Sequence, residues 1–159
     1  MKESGFLSEI KVEEVMRSPV LTIFVDDSLS KAAEIFVRER IYYLPVVQSN
    51  KKLVGLLTQK YLYKMRSPRR IIGEEFEEKM DTIVDGHSYY YKDMLDSYIL
   101  KNIMYQTPAK ALKTDSLNAV IKNMAKSNVG CVTVVDEKDV VCGILTEKDI
   151  INYLAKKVL

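Results

Sequence analysis

Two strings decide how this chain is read: Gly55-Leu56-Leu57-Thr58-Gln59-Lys60-Tyr61-Leu62 and, 88 residues later, Gly143-Ile144-Leu145-Thr146-Glu147-Lys148-Asp149-Ile150. Each is an apolar run that reaches a Thr and passes into charged residues, the pattern of a strand turning into a helix. Extended outward at the same offset, the match runs without a gap from Val15-Met16 against Ile103-Met104 to Leu62 against Ile150. Met16, Asp27, Ser28, Leu29, Val46, Val47, Gly55, Leu57, Thr58 and Lys60 recur as Met104, Asp115, Ser116, Leu117, Val134, Val135, Gly143, Leu145, Thr146 and Lys148. Phe36/Met124, Ile41/Val129, Leu44/Val132 and Leu56/Ile144 are conservative pairs. The chain is a tandem duplication, and the repeat precedes any assignment of elements.

Each copy reads as strand, helix, strand, strand, helix. In the first, the apolar run Val20 to Val25 ends at Asp26-Asp27, with Asp27 as the expected N-cap. Leu29, Ala32, Ala33, Phe36 and Val37 then follow at helical spacing, repeated as Asp115, Leu117, Val120, Ile121, Met124 and Ala125. Tyr42–Val47 and Leu53–Leu57 read as strands joined at Gln48-Ser49-Asn50-Lys51, and Cys131–Val135 and Val140–Leu145 repeat them across Asp136-Glu137-Lys138-Asp139. Final helices start at Thr58 and Thr146. The class is α+β: two tandem β-α-β-β-α units packed as a pseudo-two-fold intramolecular pair, because one unit alone buries too little surface. The expected divisions are 8–65, a helical or irregular linker insertion at 66–97, and 98–157. Within the insertion, helix is expected around 74–80 and 89–99, with Phe76 and the Tyr89-Tyr90-Tyr91 run packing on the pair.

The chain has 159 residues with 24 Lys+Arg against 22 Asp+Glu, 47% hydrophobic and 29% charged, figures of an ordinary globular protein. No run approaches the ~18 apolar residues of a membrane span. The opening MKESGFLSEIKVEEVM lacks an apolar signal core, so a cytoplasmic location is expected, with no membrane association. A net charge of +2 gives no broad reason to bind nucleic acid. Cys131 and Cys142 sit in apolar runs and read as reduced thiols, and with His87 they match no zinc-ligand spacing, so no metal site is expected. No catalytic signature is present, and the chain does not read as an enzyme.

VEEVM, VDDSLSKAAEIF, RIYYLPVV and LVGLLTQKYL in one copy, against LKNIM, KTDSLNAVIKNM, NVGCVTVVDEKDVVCGIL and TEKDI in the other, resemble a tandem pair of cystathionine-β-synthase (CBS) domains, the regulatory Bateman module. The resemblance implies a sensor that binds an adenosine-containing ligand (AMP, ADP, ATP or S-adenosylmethionine) between the two units, with no other cofactor required. It also implies a homodimer and a regulated protein that the sequence does not name. The family holds ribose with a Thr/Ser and an Asp three residues later. Thr146 and Asp149 complete that pattern, whereas Thr58 is followed by Tyr61. Carried over by position, the first cleft takes Thr146, Asp149 and Ile144 together with Ser18, Pro19, Val20, Arg40, Ile41, Tyr42 and Tyr43. A weaker second cleft takes Thr58, Tyr61, Thr107, Pro108, Ala109, Val129, Gly130 and Cys131.

The spacing has its own physical reading. Thr146 and Asp149 place a hydroxyl and a carboxylate on one side of a helix's first turn, beside free N–H groups that favour an anion. The same spacing is a capping box, in which Asp149 folds back onto the Thr146 N–H. Arg40 is the basic residue that relatives use against phosphate, and it is equally a solvated charge at a helix end. Two other functions stay open: nucleic-acid binding through Lys64, Arg66, Arg69 and Arg70 near Tyr89–Tyr91, and a structural dimerisation role with no ligand.

Overall fold

The computed structural model describes residues 5–65, 69–70, 82–85 and 88–157. In chain order these form α1 (Phe6–Glu9), a 3-10 turn at Val12–Glu14, β1 (Ile23–Phe24), α2 (Leu29–Glu39), β2 (Tyr43–Val47), β3 (Leu53–Thr58) and α3 (Lys60–Met65). The intervening segment contributes β4 (Arg69–Arg70), β5 (Thr82–Asp85), β6 (Ser88–Tyr91) and α4 (Lys92–Asp96). The second copy gives α5 (Leu100–Ile103), β7 (Lys110–Leu112), α6 (Leu117–Ser127), β8 (Cys131–Val135), β9 (Val141–Thr146) and α7 (Glu147–Lys157). The fold is the α+β duplication read from the sequence.

The chain divides into two compact units, each of which draws on both copies. Unit 1 holds 1–21, 48–53 and 107–159, and unit 2 holds 22–47 and 54–106. In unit 1 the sheet runs β7-β8-β9, with β7 parallel to β8 and β8 antiparallel to β9. Leu117, Val120 and Met124 of α6 recur at helical spacing and meet Val132, Val134, Leu145 and Ile150. Ile10, Val12 and Val15, from the head of the first copy, complete this core. Unit 2 mirrors it: Leu29, Ala32, Ala33 and Phe36 of α2 pack on Ile23, Leu44, Val46 and Leu57, and Leu100 comes from the head of the second copy. Each leading segment is stitched to its unit by equivalent bridges, Arg17 to Ile144 in unit 1 and Tyr105 to Leu56 in unit 2.

Those bridges explain the repeated glycines. A Cβ on Gly143 would stand 2.7 Å from Met16 Sδ and 3.0 Å from the Arg17 carbonyl oxygen. A Cβ on Gly55 would collide with the Met104 side chain. The Met and the Gly that recur in both copies are one contact, made once per unit, and at Gly143 close backbone approach also requires the glycine.

The structure corrects two local expectations. The helix caps are Ser28 and Ser116, not Asp27 and Asp115: each Ser hydroxyl accepts from the N–H three residues on, Lys31 and Ala119, at 3.3 Å. The aspartates instead close the preceding turn, Asp27 accepting from the Phe24 N–H at 3.0 Å and Asp115 from the Leu112 N–H at 2.9 Å. The expected helix over 89–99 is half strand. Ser88–Tyr91 pairs antiparallel with both β4 and β5, because the aromatic run favours a pleated partner, and helix begins only at Lys92. Tyr90 and Ile83 of this sheet join the unit 2 core. Phe76 and the helix expected around 74–80 lie outside the described residues.

Candidate functional site

β9 delivers the chain straight into α7, so Thr146, the last strand residue, becomes the helix N-cap. Its backbone N–H donates to Asp149 Oδ2 at 2.9 Å, and its hydroxyl donates to the same oxygen at 2.6 Å. In return the Asp149 N–H donates to Thr146 Oγ1 at 3.3 Å. The capping box is therefore formed, and a cap of this kind is worth about 0.5–2 kcal/mol. Thr146 is buried, and the Asp149 side chain keeps 13% exposure.

Capping occupies Oδ2 and leaves Oδ1. Arg17 contacts both oxygens: its Nε donates to Oδ2 at 3.2 Å and stands 3.0 Å from Oδ1 as an ion pair. The Arg17 backbone is held on β9 by a reciprocal pair, its N–H donating to Ile144 O at 2.9 Å and the Ile144 N–H donating to Arg17 O at 3.1 Å. Ser18 extends the attachment, its hydroxyl donating to the Cys142 carbonyl at 2.9 Å. Gly143 permits this approach, so the backbone that aims Arg17 at Asp149 depends on a residue without a side chain.

Cys131 pairs in register with Thr146 across β8 and β9. Burial pushes its thiol up to about 12; nearby Arg17 opposes that rise and nearby Asp149 adds to it. The thiol thus lies in the electrostatic neighbourhood of the ion pair and stays neutral through the physiological range. Thr133, two residues along the same strand face, is fully buried, and its hydroxyl has no partner among the described residues.

The residues singled out from the sequence fall as follows. Unit 1 brings Thr146 and Asp149 together, with Ile144 buried on β9 and Ser18 bonded to the same strand. Pro19, which follows a cis peptide bond, is exposed, and Val20 is half-buried. Thr107, Pro108, Ala109, Val129, Gly130 and Cys131 also belong to unit 1. The Gly130 carbonyl accepts from the Glu147 N–H at 3.1 Å, and the Ala109 carbonyl accepts from the Thr133 N–H at 3.0 Å. Unit 2 holds Arg40, Ile41, Tyr42, Tyr43, Thr58 and Tyr61. Arg40 is the left-handed C-cap of α2 (φ 51°), and Asn128 repeats that conformation after α6 (φ 51°). The Tyr42 carbonyl accepts from the Gln59 N–H at 3.0 Å, the counterpart of the Gly130 bond.

Arg17 is the residue that sequence reasoning missed. Its signal was available in the repeat: its counterpart is Tyr105, and the counterpart of Asp149 is Tyr61. The pair is crossed: Arg17 lies in the first copy and Asp149 in the second, so both charges fall in unit 1, and Tyr105 and Tyr61 take their places in unit 2.

Among the described residues there is no cluster of three or more His, Cys, Asp or Glu arranged to hold a metal, and no helix is long and apolar enough to cross a membrane. Compared with known proteins, the chain is 26% identical over 151 residues to a homoserine O-acetyltransferase of Methanococcus vannielii, covering 95% of this chain but 26% of that protein. The chain thus spans about a quarter of the length of the curated relatives it first matches. A CBS domain-containing protein of Dictyostelium discoideum is 24% identical over 148 residues, covering 93% of each chain. Among solved structures, the CBS domain pair of protein MJ0100, in complex with 5′-methylthioadenosine and S-adenosyl-L-methionine, superimposes with a TM-score of 0.70 at 24% identity, covering 93% of this chain and 98% of the other. CBSX2 in complex with AMP gives 0.69 at 18% identity, over 92% and 96%. The family model of the CBS domain matches residues 12–67 and again 100–156, and the chain belongs to the CBS domain family as a tandem pair.

Proposed function

We propose that this chain is a regulatory module that senses an adenosine-containing ligand, AMP, ADP, ATP or S-adenosylmethionine, through the Thr146–Asp149 turn. The observation that carries the reading is the Asp149 carboxylate. It accepts on Oδ2 from two Thr146 donors and from the half-exposed Arg17 side chain, whose Nε also stands 3.0 Å from Oδ1. A carboxylate is acceptor-only and takes neighbouring hydroxyls, which is what a ribose diol offers. The first turn of an eleven-residue helix supplies positive potential beside it. Ser18, Pro19 and Val20 run along the same edge and are proposed to line the ligand. The relatives solved with adenosyl ligands support the reading. Tyr61 offers no carboxylate, so one strong site per chain is expected.

The module's output is proposed to be association, with itself as a homodimer or with a regulated protein, and its role is binding, not catalysis. Unit 1 carries a groove of about 310 Å³ between α6 and α7, lined by Ile121, Met124, Ala125, Val129, Ile150 and Ile151 among others, which suits a helical partner face. Calorimetric titration with AMP, ADP, ATP and S-adenosylmethionine tests the ligand reading. Saturable binding of at least one ligand at about one per chain is expected. Failure of all four at millimolar concentration overturns it and leaves Asp149 as a cap.

A further inference from the structure

We infer that Arg17 is an internal counter-ion that a ligand must exchange for its own negative charge, so that the site selects adenosine ligands carrying a phosphate. The inference rests on the ribose reading of Asp149 and adds a specificity-determining residue to it.

The geometry supplies the argument. Of the carboxylate's roughly four acceptor positions, those of Oδ2 are taken by Thr146 at 2.9 and 2.6 Å and by Arg17 Nε at 3.2 Å. Oδ1 is the oxygen left over, and the same Nε stands 3.0 Å from it. Two adjacent ribose hydroxyls cannot both donate to Asp149 while the guanidinium spans both carboxylate oxygens. Arg17 is free to yield, because its side chain is 52% exposed and its contacts among the described residues run through Nε alone. Its backbone does not yield, being bonded to Ile144 on β9. The guanidinium therefore swings about a fixed anchor and stays beside the bound ligand.

Charge then decides which ligand benefits. A neutral adenosine replaces an ion pair by two hydroxyl contacts and leaves the guanidinium without its anion. A ligand with a phosphate on the ribose returns that anion, and the planar fork of Arg suits phosphate oxygens. The sulfonium of S-adenosylmethionine adds a positive charge where one is already unpaired. Unit 2 fits the same logic. Tyr105 and Tyr61 stand at the positions of Arg17 and Asp149, so the counter-ion is lost where the carboxylate is lost.

The experiment compares AMP, adenosine and S-adenosylmethionine on the full chain, its Arg17→Ala variant and its Arg17→Lys variant. The unmodified chain is expected to prefer AMP over adenosine by about tenfold or more, the size of one charge-assisted contact. In Arg17→Ala adenosine binds about two- to fivefold more tightly, because an exposed competitor is gone, and the AMP preference falls to within about threefold. Arg17→Lys keeps most of the preference. A merely structural Arg17 would shift all three affinities together and leave their ratio alone. An AMP-to-adenosine ratio unchanged by Arg17→Ala, with binding intact, overturns the counter-ion while sparing the ribose reading. Binding of S-adenosylmethionine without AMP overturns the phosphate selectivity while sparing the ribose reading, and absence of binding by AMP, adenosine and S-adenosylmethionine overturns both.

Discussion

Alanine at Gly143 and alanine at Gly55 are the same substitution at equivalent positions of the repeat, yet they should differ in their effect. At Gly143 the new methyl stands 3.0 Å from the Arg17 carbonyl oxygen, which is backbone, and 2.7 Å from Met16 Sδ. The methionine can turn aside, but the carbonyl is locked by the reciprocal Arg17–Ile144 bonds of 2.9 and 3.1 Å. The leading segment must retreat by a few tenths of an ångström. Overpacking of this kind costs about 1–3 kcal/mol, and weakening two backbone bonds adds a share of ~0.5–1.5 kcal/mol each. We expect Gly143→Ala to lose about 2–3 kcal/mol in total, lowering the melting temperature by roughly 5–10 °C for a chain of this size. At Gly55 the nearest three atoms all belong to the Met104 side chain, an unbranched thioether that re-packs readily. Gly55→Ala should lose about 1 kcal/mol or less. Thermal melts of both variants under one buffer decide the matter. Equal losses, or a Gly143→Ala melt that does not move, would refute the claim that a fixed backbone contact sets the requirement for glycine at 143.

Three further expectations follow from single side chains. Folding raises the Cys131 thiol from 9.0 to about 12, so between those values the unfolded chain has released a proton the folded chain keeps. Its contribution is complete below pH 9.0 and is lost as pH rises toward about 12, and urea unfolding at pH 8 and pH 10.5 should show a smaller alkaline loss in Cys131→Val than in the unmodified chain. The buried Thr133 hydroxyl has no partner among the described residues, so Thr133→Val should leave stability unchanged or raise it by about 1–2 kcal/mol; a loss above ~1 kcal/mol would show that the hydroxyl is satisfied. Ile151 is 65% exposed on the rim of the α6–α7 groove, so Ile151→Glu should shift the mass measured by light scattering toward monomer with the melt unchanged, whereas an unaltered dimer would exclude this face.

What the sequence disclosed was position, and what it withheld was partnership. The offset of 88 residues identified Met16, Met104, Gly55 and Gly143 as matched positions. Only the structure shows that Met16 lies on Gly143 and Met104 on Gly55, because an internal alignment says which residues correspond but not which ones touch. The helix caps were misplaced by one residue for a related reason. Asp27-Ser28 and Asp115-Ser116 each offer two good capping side chains, and the choice depends on where the preceding turn needs a carboxylate. The expectation of helix over Tyr89-Tyr90-Tyr91 overlooks that its aromatic content suits a strand, and periodicity does not disclose its pairing with Thr82–Asp85. The capping contact between Thr146 and Asp149 is legible from their spacing. Arg17 is not, since it lies 132 residues from Asp149 and nothing local marks it as a partner.

Ligand sensing by this chain depends on what Asp149 does beyond capping. Asp149→Asn keeps an oxygen for the Thr146 N–H but removes the charge that Arg17 and a ribose would share. Hydrogen bonds to a charged group are worth ~1.5–3 kcal/mol, so calorimetric titration with AMP should show affinity weakened by about 10- to 150-fold. The ligand-free melt should fall only by the ~0.5–2 kcal/mol of a weakened cap and an exposed ion pair. AMP bound as tightly by Asp149→Asn as by the unmodified chain, with the melt lowered, would make Asp149 a helix cap and nothing more.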